Sequence, residues 1–131
     1  MKFGTVINCM DGRVQLPVLR YLKDHYEIDF FDSVTEAGPI RILTEGKEQC
    51  RLTALKEQVR VSMEAHQSRF IAVVGHHDCA GNPAGRTMQE QQIEKALQIL
   101  KKSYGKGITY VGLYVNDQWQ VERISETGTV K

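Results

Sequence analysis

Val73-Val74-Gly75-His76-His77-Asp78-Cys79 is the stretch on which the reading of this chain turns. The apolar run from Phe70 to Val74 has the length and composition of a buried strand, and a glycine ends it. His76 and Cys79 follow on one tight turn. A soft thiolate and an imidazole so placed suit Zn²⁺, which takes sulfur and nitrogen ligands. Two ligands do not complete a zinc site. Upstream, the strand Thr5-Val6-Ile7-Asn8 runs into Cys9-Met10-Asp11-Gly12-Arg13. In a parallel sheet, strands distant in the chain become neighbours, and ligands gather where the strand order reverses. Cys9, His76 and Cys79 are therefore expected to form one constellation.

The remaining segments supply a scaffold for it. Pro17 suits the first turn of a helix whose apolar stripe is Val18, Leu19, Leu22 and Tyr26. Asp29 to Val34 reads as the second strand and ends at Glu36-Ala37-Gly38-Pro39, while Ile40 to Leu43 reads as a loop or a single turn. Lys47 to His66 is a long helix with Leu52, Leu55, Val59 and Met63 at helical spacing, leading into a third strand over Arg69 to Val74. Thr87 with Glu90 has the form of a capping box. It opens a helix carrying Ile93, Leu97, Leu100 and Tyr104, which ends at Gly105 and Gly107. Ile108 to Val115 and Gln118 to Ile124 flank a two-residue turn at Asn116-Asp117, and Thr127 to Lys131 reads as a frayed tail. Strands alternating with helices and then a hairpin predict an α/β fold. Its mostly parallel twisted sheet of about five strands is flanked by helices and closed by an antiparallel C-terminal edge hairpin.

A chain of 131 residues, 41% hydrophobic and 25% charged, is expected to fold as one domain over 1–131. Seventeen basic and sixteen acidic residues leave a net charge of +1, which gives no electrostatic footprint for nucleic acid or an anionic membrane. No apolar run approaches the roughly 20 residues of a membrane span, and Met1-Lys2-Phe3-Gly4 reads as leading directly into a strand, so no signal peptide is expected. Three cysteines, an odd number, argue against a disulfide framework and for a reducing cytoplasm.

Three ligands, two Cys and one His, leave a fourth tetrahedral position for water, as in a catalytic zinc site. Asp11 admits two readings. It is either a fourth ligand that closes the site or a carboxylate held by Arg13 in a bidentate pair, leaving the water in place. With two thiolates and a neutral imidazole the site is formally neutral. It should lower the pKa of a water less than an all-His site, so activity should favour neutral to alkaline pH. Cys9 and Arg13 are too close for a phosphate-cradling loop. The His-x-Glu and Pro-Cys-x-x-Cys of nucleobase deaminases are absent from the sequence. Cys50 is expected to be inert, and His25 and His66 sit near helix ends, where a cation suits the dipole. His77 reads as solvent-facing filler or a proton shuttle.

Cys-x-Asp-x-Arg (Cys9, Asp11, Arg13) followed by Gly-His-x-x-Cys (Gly75, His76, Cys79) resembles the β-class carbonic anhydrases, with His77 and Asp78 in the two variable positions. Ala37-Gly38 falls where that family has an Ala-Gly turn, and the resemblance runs in order from Thr5 to about Ile124. It implies zinc held by Cys9, His76 and Cys79, with Asp11 and Arg13 as the orienting pair. The implied reaction is reversible hydration of CO₂ to bicarbonate and a proton, and the implied assembly is a homodimer or higher oligomer. Against the family pattern, no helices are expected before the first strand of the sequence as read. Thr35, Glu36 and Pro39 flank the Ala-Gly turn in place of Arg-Asn before and Asn after, and Ala80-Gly81 stands where Gly-Ala is common. Two other readings use the same residues. One is a zinc hydrolase of carbonyl sulfide or carbon disulfide; the other is a non-catalytic zinc-binding protein in which Asp11 closes the metal.

Overall fold

The computed structural model describes residues 1–127. Five strands, β1 (Phe3–Cys9), β2 (Phe30–Glu36), β3 (Phe70–His76), β4 (Thr109–Val115) and β5 (Val121–Thr127), form one sheet in the order β2-β1-β3-β4-β5. The first four are parallel, and β5 runs antiparallel to β4. This is the architecture expected from the sequence. β3 is buried along its whole length and β1 and β4 nearly so, whereas the edge strands β2 and β5 are largely half-exposed. Central strands packed on both faces need continuous apolar runs, and Phe70 to Val74 is one.

Alternation along the strands sorts side chains to the two faces of the sheet. Ile7, Ile71, Val73, Tyr110 and Tyr114 join the core beneath α2 (Pro39–Glu45), α3 (Gln49–Ala65) and α4 (Arg86–Tyr104). Val6, Ala72, Val74, Val111, Leu113 and Val115 pack beneath α1 (Gln15–His25), whose Val18 and Leu22 are fully buried.

The structure corrects four local expectations. Ile40 to Leu43 is not a loop; it belongs to helix α2, with Pro39 in its first turn and Gly46 left-handed at its end. Pro39, Ile40, Ile42 and Leu43 are all buried there. Each fully buried aliphatic side chain stabilises by about 1.5–3 kcal/mol. That outweighs a propensity penalty of up to about 0.7 kcal/mol per residue, so tertiary burial decides the helix. Thr87 does not cap α4: the helix starts at Arg86 behind an extended Gly85 with no side-chain cap.

The hairpin connection is longer than Asn116-Asp117, because β5 begins at Val121. Asn116 organises it: its side-chain oxygen accepts from the main-chain N–H groups of Gln118 at 2.9 Å and Gln120 at 3.0 Å. Trp119 sits in this loop with a left-handed backbone (φ 60°). Thr127, expected in a tail, is the last residue of β5, and the tail expected beyond it lies outside the described residues.

Sheet order positions the site. From β1 the chain passes outward to β2 on one side, while β3 lies on the other, so strand order reverses between β1 and β3. Their pairing covers only Thr5–Ile7 against Ile71–Val73, and beyond it Met10 N–H turns away to the carbonyl of Glu36. The carboxyl ends of β1 and β3 thus splay apart, at the place where open α/β sheets bind ligands.

Candidate metal centre

Cys9 ends β1, His76 ends β3, and Cys79 lies on the loop that follows. Asp78 turns that loop with a left-handed backbone (φ 57°), a conformation Asp tolerates better than most residues. The turn brings Cys79 back toward β1, and the two sulfurs stand 3.8 Å apart. One ligand atom from each of Cys9, His76 and Cys79 lies within 4.8 Å of the others, and all three residues are buried. They border a narrow crevice with Pro39, Ile40 and Val74, too small for an organic ligand.

The donor set fits a metal on the evidence of one atom. His76 Nδ1 lies 2.7 Å from the main-chain carbonyl of His77. A carbonyl only accepts, so Nδ1 carries a proton, and in the neutral ring the lone pair is left on Nε2. That Nε2 is buried with no hydrogen-bond partner. An imidazole nitrogen left alone in a protein interior costs free energy unless something outside the protein binds it.

The sulfurs are prepared in the same sense. Cys9 is shifted well down from the usual thiol range, chiefly because the Cys79 thiol donates to it, with further help from His76 and the main chain of Gly38 and Asp11. Cys79 is shifted up, since giving up its own proton would set a second thiolate against the first. Main-chain contacts from Gly81 and Asn82 act the other way on Cys79. Without a cation the pair keeps one proton between two sulfurs, and a divalent ion would displace it. Gly38 and Gly81 touch backbone to backbone, so a side chain on either would push these turns apart.

Asp11 and Arg13 lie beside this cluster on the 3₁₀ turn after β1. Arg13 donates from Nε to Oδ1 of Asp11 at 3.1 Å and from a terminal nitrogen to Oδ2 at 2.7 Å, while its main-chain N–H also reaches Oδ1 at 2.9 Å. Those bonds hold the Asp11 carboxyl down at about 2. Both carboxylate oxygens of Asp11 are thus engaged by Arg13.

Sequence reasoning missed three residues. Asp78 accepts from Arg13 through its carboxylate at 3.3 Å and its carbonyl at 3.1 Å. Trp119 lies beneath the guanidinium, 4.4 Å from ring centroid to Cζ. Gln89, buried on α4, bonds both main-chain groups of His76. Only Gln89 left a local signal, as a polar residue one turn before Ile93 on the apolar stripe of its helix. His77 is exposed, and its ring meets Trp119 edge-on at 6.2 Å. Cys50 is exposed on α3, remote from the site in sequence and element.

Residues 1–125 match the family described as "Putative carbonic anhydrase". No curated protein matches the chain. Among solved structures it is similar to the carbonic anhydrase from Glaciozyma antarctica, at 16% identity and a TM-score of 0.61, over 92% of this chain and 81% of that one. It is also similar to one of two tetrameric β-carbonic anhydrases from the filamentous ascomycete Sordaria macrospora, at 10% identity and a TM-score of 0.57, over 96% and 82% of the two chains. With two motifs in register, one fold and a match over nearly its whole length, the chain belongs to the β-carbonic anhydrase family.

Proposed function

We propose that this chain is one zinc domain over 1–131 that catalyses reversible hydration of CO₂ to bicarbonate. Cys9, His76 and Cys79 hold the metal, and Asp11 with Arg13 orients the reacting water. The observation that carries the reading is the clustering of one ring nitrogen of His76 and the sulfurs of Cys9 and Cys79 within 4.8 Å of one another, all three residues buried. Zinc in such a site supplies Lewis acidity, which generates a water-derived nucleophile near neutral pH.

The protein's own contribution is orientation. With both oxygens engaged by Arg13, Asp11 stays ionised throughout the neutral range and can only accept hydrogen bonds. An acceptor fixed beside the reacting water takes a hydrogen bond from it and so directs its lone pair toward an electrophile. The same engagement argues against the non-catalytic reading, in which Asp11 would have to leave Arg13.

Assembly as a homodimer or larger oligomer belongs to this reading. Met10, next to Cys9, and Leu16 on α1 are both exposed apolar side chains, and β2 and β5 are open sheet edges. A cytoplasmic setting is favoured by three free cysteines. No described helix is long and apolar enough to cross a membrane.

The deciding experiment is metal analysis of protein prepared without chelator, together with CO₂ hydration measured from neutral to alkaline pH. About one zinc per chain with activity rising toward alkaline pH is the expected result. Zinc without CO₂ hydration would shift the assignment to carbonyl sulfide or carbon disulfide, or to a non-catalytic zinc protein. A folded protein unable to take up zinc would end the metal reading.

A further inference from the structure

His76 N–H and C=O project toward β1, because the adjacent His77 N–H bonds the carbonyl of Val115 on β4 and parallel strands alternate sides. At that level β1 has already turned away, its last pairing with β3 being Ile7 to Val73. The splay that opens the metal crevice therefore strips a metal ligand of its ladder partners. Gln89 replaces them. Its Oε1 accepts from His76 N–H at 2.9 Å, and its Nε2 donates to His76 C=O at 2.9 Å and to Ala84 C=O at 3.0 Å. Gln89 is only 1% exposed, so these bonds have no bulk water to compete with them.

Gly75 makes the arrangement possible. A Cβ there would lie 2.7 Å from Gln89 Oε1, and also against Ile40 and Ile93. One turn further along α4, Gln92 accepts from the side chain of Asn82 at 2.8 Å. Asn82 N–H in turn bonds the carbonyl of Cys79 at 3.3 Å. One helix thus grips the strand end and the loop that carry two of the three candidate ligands.

We infer that Gln89 is a positioning residue of the metal centre, standing in for the absent strand neighbour of His76 and fixing the direction of its imidazole. The inference rests on the metal reading above and concerns metal affinity and geometry, which are measured without any activity. Side chains that orient metal ligands typically contribute about 10–100-fold to affinity when removed.

The test uses the full chain, with Gln89→Met, which keeps the length of the side chain and removes the amide. A second variant, Gly75→Ala, crowds Gln89 without altering it. Zinc affinity is read by competition with a chromophoric chelator, ligand geometry by Co²⁺ absorption, and stability by thermal unfolding of the metal-free protein. A zinc dissociation constant raised about 10–100-fold, with a shifted Co²⁺ spectrum, is expected for Gln89→Met and in the same direction for Gly75→Ala. If Gln89→Met fails to fold, Gly75→Ala carries the test with the same readouts. A zinc affinity within about twofold of wild type, far below that range, makes Gln89 an ordinary core residue and overturns the inference whatever the melting temperature does. Wild-type protein that binds no zinc would instead remove the metal reading itself, a result the same titration distinguishes.

Discussion

Arg13 lies over the ring of Trp119, its Cζ 4.4 Å from the centroid, while the opposite bonds of its guanidinium reach Asp11 and Asp78. The dyad of Asp11 and Arg13 is thus one side of a three-sided clamp. Trp119 comes from the β4–β5 connection and Asp78 from the loop between the two downstream ligands. Both residues adopt left-handed backbone conformations, so the clamp depends on two strained turns meeting at one guanidinium.

Trp119→Leu removes the aromatic face and keeps an apolar side chain. A cation–π contact at an exposed site contributes about 0.5–1 kcal/mol, so CO₂ hydration should fall only about two- to fivefold with zinc content unchanged. Trp119 is the chain's single tryptophan, and its emission should also change in Arg13→Ala. Steady-state fluorescence beside stopped-flow hydration checks both. Unchanged emission would mean that the ring does not sense Arg13 in solution.

Arg13→Ala leaves Asp11 without the cation that engages both its oxygens. Zinc should be retained while hydration falls about 10–100-fold or more, because an unheld carboxylate no longer orients the water. Asp11→Asn should also keep zinc and lose activity, since its amide presents donors where only acceptors serve. Metal analysis and kinetics on both variants test this. Wild-type rates in the two together would reduce the dyad to a surface ion pair.

Cys79→Ser should lose zinc and much of the protein's resistance to heat. The loop of residues 77–85 is arranged around that sulfur, and metal binding is coupled to folding. Cys50→Ser, on the exposed face of α3, serves as the control and should change neither. Chelator treatment of wild type should reproduce the Cys79→Ser melting temperature.

Acid should act on Asp11 late. The Arg13 bonds lower its folded pKa from 3.8 to about 2. Stability from a depressed carboxylate is present above the unfolded value and lost as pH falls through the folded one. The stability gap between metal-free wild type and metal-free Asp11→Asn should therefore be constant above about pH 4 and close between about pH 4 and 2. Urea unfolding at stepped pH measures it. A gap that closes already near neutral pH would contradict the ion pair.

Light scattering should give at least twice the 14.9 kDa chain mass. Met10→Glu, beside the candidate centre, should shift the mass downward if the exposed apolar rim is the contact. A monomer at high concentration would remove oligomerisation from the proposed reading.

What the sequence determined by itself is local chemistry and order. The run Phe70 to Val74 specified a strand buried on both faces, and the repeat of Leu52, Leu55, Val59 and Met63 specified a helix, because each pattern is the period of its element. The two motifs named Cys9, Asp11, Arg13, His76 and Cys79 as partners, and Arg13 does engage Asp11 through neighbouring main chain that short spacing fixes. Tertiary structure decided which groups meet across long separations. Sheet order set β1 beside β3 and brought two sulfurs to 3.8 Å. Burial beneath the sheet made α2 a helix, and left-handed turns delivered Asp78 and Trp119 to Arg13. Gln89 acquired its role only because β1 and β3 diverge where His76 would otherwise have had a strand partner. Hydrophobic periodicity carries no record of such a divergence, since it encodes which face is buried and not which backbone groups are left unpaired.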